Sequence, residues 1–134
     1  MLNKLLFQGR MVADPEVKQT QSGVSFLEFT VAWSEKYKET ETSCFIRCKA
    51  WRNTAEFIGK WFRKGQEILI EGHMVTETWD KEGQKQSRTI CNVEKVNFCG
   101  PNAANLYEKA FIKKGTPDVN DWVNNISDEE LPFT

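Results

Sequence analysis

Between Cys44 and Trp51 the chain alternates two incompatible surfaces. In an extended strand, Cys44, Ile46, Cys48 and Ala50 fall on one side and Phe45, Arg47, Lys49 and Trp51 on the other. The first set is small and apolar and suits a core. The second places two cations between two aromatics, and a core could bury those charges only with partners for them. The segment therefore demands a sheet with one packed face and one face turned to solvent or to a ligand.

Other short runs of the same kind surround it. Leu5–Val12 reads as a strand, with Gly9 marking a bulge or a bend, and Asp14-Pro15 starts a turn. After Gln21-Ser22-Gly23, the stretch Ser25–Trp33 alternates Leu27, Phe29, Val31 and Trp33 with smaller or polar residues, the mark of a half-buried strand. A polar loop, Ser34–Ser43, leads to Cys44–Trp51. Asn53 then looks like a helix N-cap with Glu56 at its N3 position, followed by Ala55, Ile58, Trp61 and Phe62 at helical spacing and by Gly65 as the stop. A strand from Gln66 to about Trp79, a loop Asp80–Gln86 and a strand Ser87–Phe98 complete the series. Five strands with one short helix between the third and fourth is the order of an OB-fold, so the expected class is all-β, a five-stranded Greek-key barrel.

Beyond Gly100-Pro101 the period changes. Ala103, Leu106, Tyr107, Ala110 and Phe111 share one helical face, and Val119, Trp122, Val123 and Ile126 repeat the spacing, which predicts two short amphipathic helices. The expected division is a barrel domain over 1–99 and a partly disordered acidic C-terminal tail over 100–134.

At 134 residues the chain holds one core of ordinary size, and no stretch approaches the ~20 apolar residues of a membrane span. The apolar run before Gln8 is too short for a signal peptide, so a cytoplasmic location is expected. Net charge is −1, but its distribution is uneven: residues 1–98 carry 15 Lys+Arg against 13 Asp+Glu, and no base follows Lys114 while Asp118, Asp121, Asp128, Glu129 and Glu130 do. Cys44, Cys48, Cys91 and Cys99 form no CxxC pair and read as buried thiols, Cys44 and Cys48 being about 13 Å apart along a strand. His73 has no triad-like surroundings, and no clustered carboxylates suggest a metal-dependent nuclease. No cofactor, metal or catalytic residue is expected.

Taken in order, these segments resemble the bacterial and phage single-stranded DNA-binding proteins. The resemblance is carried by Asn3-Lys4 with Gly9 and Asp14-Pro15-Glu16-Val17, by Ser22-Gly23 with Phe29-Thr30-Val31-Ala32, by Arg63-Lys64-Gly65, and by Ile70-Glu71-Gly72 with Trp79 after it. It implies base stacking on Tyr37, Phe45, Trp51 and Trp79. The flanking cations agree independently, because aromatic faces accept any base while nearby charges follow the backbone. Arg47 and Lys49 are the leading phosphate candidates, with Lys4, Arg10, Lys36, Lys38, Arg52 and Arg88 behind them. The ending Asp128-Glu129-Glu130-Leu131-Pro132-Phe133 is similar to the family's acidic tip, which recruits replication and repair proteins; Thr134 follows it here. The expected function is sequence-independent binding of single-stranded DNA in replication, recombination and repair by a homo-oligomer, a tetramer or a dimer. The alternative is an OB-fold interaction module of the primosomal type with a weak nucleic-acid grip. Its support is Val75, Thr76 and Glu77, which stand where family members often carry bases.

Overall fold

The structure, a computed structural model, describes residues 1–111. Its elements are β1 (Leu5–Met11), β2 (Lys18–Gln19), β3 (Ser25–Tyr37), β4 (Thr40–Trp51), α1 (Arg52–Trp61), β5 (Glu67–Lys81), β6 (Gln84–Phe98) and α2 (Ala103–Phe111). The strands run in the order β1-β5-β6-β4-β3-β2, and a further β1–β3 pairing closes the first five into a barrel with β2 as an extra strand on β3. A closed five-stranded barrel with a helix between β4 and β5 is the expected OB-fold.

Closure depends on β1 changing partners. Leu5 to Arg10 pair with β5, while Arg10 and Met11 pair with Ala32 and Val31 of β3. Gly9 sits at that crossing, and any Cβ there would strike the Ala32 carbonyl oxygen. The strand runs on through Gly9, so close backbone approach, rather than a bulge, accounts for the glycine. Alternation then fills the barrel: Leu27, Val31, Cys48, Ala50, Ile68, Ile70 and Cys91 are fully buried, and α1 adds Ala55 and Ile58 with Phe62 just beyond it. Each large apolar side chain so buried contributes about 1.5–3 kcal/mol. Cys48 and Cys91 are register partners across a parallel β4–β6 pairing of two residue pairs. The neighbouring Cys91 sulfur, with burial second, pushes the Cys48 thiol far up, so it stays protonated.

Three local expectations are corrected. The segment Ser34–Ser43 is not a loop: β3 and β4 stay paired out to Tyr37↔Thr40, leaving a two-residue turn in which Lys38 has φ 55°. Both faces of this projecting ribbon are exposed, so it has no apolar alternation to betray it. Asp80–Gln86 is likewise hairpin, turning at Glu82-Gly83 with φ 52° and 81°, the positive pair of a type I′ turn that matches strand twist. Asn53 and Glu56 do not form a capping box. The helix begins at Arg52, its N-cap is Trp51 with no side-chain bond, and Glu56 instead accepts a hydrogen bond from Ser25 Oγ at 3.1 Å.

The described chain falls into two compact units, Met1–Val96 and one beginning at Asn97. In the second, Tyr107 packs edge-on against Phe98 at 5.4 Å and lies 5.1 Å from Phe111, the helical face the spacing predicted. The expected helix over 118–126 and the acidic tip at 128–133 lie outside the described residues.

Candidate nucleic-acid interface

The β3–β4 register decides which side chains share the outer face. Phe26 pairs with Trp51, Glu28 with Lys49, Thr30 with Arg47 and Ala32 with Phe45, so these eight residues line one surface while their neighbours fill the core. Phe45 and Trp51 stand about 20 Å apart along β4, at a rise of about 3.3 Å per residue. Phe45 is 63% exposed, and Ala32 opposite it leaves its ring open. Trp51 is more embedded: its ring lies 5.7 Å from Phe26, tilted by 37°, and the Lys49 ammonium sits 4.8 Å from its centroid.

Trp79, on β5, is exposed and has the Arg88 guanidinium of β6 5.3 Å over its ring. The two tryptophans are built alike, each with a cation on one face. Tyr37 occupies the last paired position of the β3–β4 hairpin, exposed, with Lys38 Nζ 5.6 Å from its ring. By strand alternation Lys36 belongs to the outer face that carries Phe45.

Three cations of this face, Lys49, Arg88 and Arg47, are already engaged. Lys49 bridges Glu28 at 3.9 Å and Glu77 at 3.4 Å, and its side chain is only 18% exposed. Arg88 reaches Glu28 at 3.5 Å and Glu77 at 3.1 Å. Arg47 meets Glu28 at 3.6 Å, and at 54% exposure is the most accessible of the three. Partial burial alone would raise the Glu77 carboxyl, but the hydrogen bonds and charges of Arg88 and Lys49 outweigh it and hold the group below the usual carboxylate range. Lys49 is thus held between the Trp51 ring and the two carboxylates.

Not every candidate joins this cluster. Arg10 donates to the Gly65 carbonyl at 2.9 Å and to Glu67 at 3.2 Å, beside a cleft of about 390 Å³ lined by Gln8, Gly9, Ala32, Trp33 and Ser34. Its register partner Ala32 places it in one row with Phe45. Lys4 stands apart, 2.6 Å from Glu71 and 3.4 Å from Glu94, and Glu94 also meets His73 Nδ1 at 2.7 Å. Glu71 is six residues from Glu77 along β5, a path of about 20 Å at the usual strand rise. Arg52 is exposed at the start of α1 with φ 53°. Sequence reasoning missed Phe26 and Glu28. Their outward position was readable from the alternation of β3, but their role depends on facing β4 in this register. Among the described residues no cluster of His, Cys, Asp or Glu could hold a metal ion, and no helix is long and apolar enough to cross a membrane.

Residues 2–99 match the sequence model of the "Single-strand binding protein family". The chain is 34% identical to a single-stranded DNA-binding protein of Aquifex aeolicus over all of this chain and 95% of the relative. It is 35% identical to one from Fusobacterium nucleatum over 72% of this chain and 66% of the relative. A Staphylococcus aureus protein of the same description is 28% identical over 99% and 90%.

Proposed function

Because this chain belongs to the single-strand binding protein family, we propose that it binds single-stranded DNA without sequence preference, protecting it during replication, recombination and repair and making or breaking no bond. One observation carries the reading: Phe45, Trp51 and Trp79 stand exposed with Arg47, Lys49 and Arg88 among them. Exposed rings with interleaved cations take stacked bases of any identity, at about 1–3 kcal/mol per base. Base edges are not read by this arrangement, so sequence tolerance follows.

The barrel over 1–99 is the DNA-binding domain of this proposal and 100–134 its tail. The tip Asp128-Glu129-Glu130-Leu131-Pro132-Phe133 supplies an anionic peptide with an apolar end, chemistry that suits a basic, greasy pocket on a replication or repair protein. The protein acts in the cytoplasm as a homo-oligomer. A salt-dependent tryptophan-fluorescence titration against single-stranded and duplex DNA is the test. Single strands should quench the emission and bind far more tightly than duplex, with affinity falling as salt rises. Equal affinities, or no quenching at low salt, would transfer the protein to the interaction-module reading that Glu77 favours. Removing 128–134 should abolish capture of repair partners and leave DNA affinity equal or higher at low salt.

A further inference from the structure

Five charged groups of the outer face form a connected lattice. Glu28 Oε2 lies 3.6 Å from Arg47 Nη2 and 3.5 Å from Arg88 Nη2, and Glu28 Oε1 lies 3.9 Å from Lys49 Nζ. Glu77 Oε1 meets Lys49 Nζ at 3.4 Å, while its Oε2 accepts from Arg88 Nε at 3.2 Å and Nη2 at 3.1 Å. Two carboxylates thus divide three cations, and a phosphate that approaches any of the three meets a carboxylate already in place. It must displace that carboxylate or share a donor with it, and either costs part of the attraction that draws polyanions to basic grooves. The rings carry no such restriction, since Phe45 opposes only Ala32 and Trp79 remains exposed beside Arg88.

We propose that Glu28 and Glu77 are specificity-determining residues of this face: by occupying three of its cations they weaken the pull of bare phosphate charge, so that a ligand laying unpaired bases on the rings is favoured. The proposal rests on the single-strand reading above and adds what selects the ligand. Duplex DNA and inorganic polyphosphate, which present charge without accessible base faces, are the ligands disfavoured. Alternation along β3 and β5 puts both glutamates outward, the β3–β4 register sets Glu28 opposite Lys49, and Glu77 meets Arg88 of the neighbouring β6 and reaches on to Lys49.

The test uses the full chain with Glu28→Gln, Glu77→Gln and the double variant. Gln preserves shape and an acceptor oxygen, and both sites are partly exposed, so the two single variants check each other should one fold poorly. Binding of a dT oligonucleotide is measured against salt, with inorganic polyphosphate as competitor and thermal unfolding as control. Removing a like charge a few ångströms from a bound phosphate should tighten binding on the order of tenfold per glutamate at low salt. The slope of log affinity on log salt should steepen by about 0.7 for each cation freed. Polyphosphate should compete markedly better with the double variant than with the wild type. Unchanged affinity and slope in folded variants overturn the proposal, as does weaker binding, which would make the glutamates positioning groups for the cations. A wild type that fails to quench with single strands overturns the underlying reading instead, so the two failures are separable.

Discussion

Replacing Trp51 by Ala separates stacking from packing. The ring contacts Phe26 at 5.7 Å and the Lys49 ammonium at 4.8 Å, and it is 38% exposed. An aromatic pair contributes about 0.5–1.5 kcal/mol beyond its buried area, and a cation over an exposed ring about 0.5–1 kcal/mol. Trp51→Ala should therefore lower folding stability by roughly 1–2 kcal/mol, which a domain with the usual reserve of about 5–15 kcal/mol survives. Binding loses a stacked base, about 1–3 kcal/mol, a drop of roughly 5- to 150-fold at about 1.4 kcal/mol per tenfold. Since Trp51 is itself a fluorescent reporter, affinity should be read from the anisotropy of a labelled dT oligonucleotide, with a thermal melt alongside. Phe45→Ala is the companion, because its ring is more exposed and its cross-strand partner is only Ala32. It should lose similar affinity with little change in melting. A folded Trp51→Ala protein that binds within twofold of wild type refutes the stacking argument and leaves the ring as packing.

Arg47→Ala should flatten the salt dependence by up to about 0.7 in slope, one phosphate contact's worth, because Arg47 is the least tightly paired cation of the face; an unchanged slope in a salt titration removes it from the phosphate path. Gly9→Ala should destabilise the barrel by about 1–3 kcal/mol in denaturant unfolding, as the new Cβ drives into the Ala32 carbonyl and comes 2.8 Å from Val31 Cγ1. The folded-state pKa of Glu77 is depressed, so its ion pairs add stability that is present above the unfolded value of 4.5 and is lost as pH falls through the folded one. Melting temperature should consequently fall more steeply below about pH 4.5 in the wild type than in Glu77→Gln, as differential scanning fluorimetry across pH would show.

The alternation of Cys44–Trp51 was sufficient to place Phe45, Arg47, Lys49 and Trp51 on one outer face, because a strand's period is local and one face had to be buried. The strand order with its helix was legible for the same reason. The hairpin arms beyond Trp33 were not, since a ribbon exposed on both sides has no core to impose a pattern. The helix start was misread because Trp51 enters it in extended conformation with φ −128° and Glu56 bonds Ser25, 31 positions away. The charge lattice was hidden most thoroughly. Strand pairing sets Glu28 opposite Lys49, and Glu77 reaches Lys49 from beyond the intervening β6; a residue's partners across a sheet are invisible from its own neighbourhood.

The parallel contact of β4 with β6 has only two register pairs, Cys48↔Cys91 and Lys49↔Asn92. Across that short seam run the ion pairs of Lys49 to Glu77 and of Glu28 to Arg88. Here the barrel is fastened outside by charge as well as inside by backbone. A single strand stacked on both Trp51 and Trp79 would span the same joint, touching strands on either side of it. Such a ligand binds only the closed form, and thermodynamic linkage then makes its concentration a term in barrel stability. Bound nucleic acid becomes a structural tie, and the protein should be hardest to unfold when it is covering its substrate.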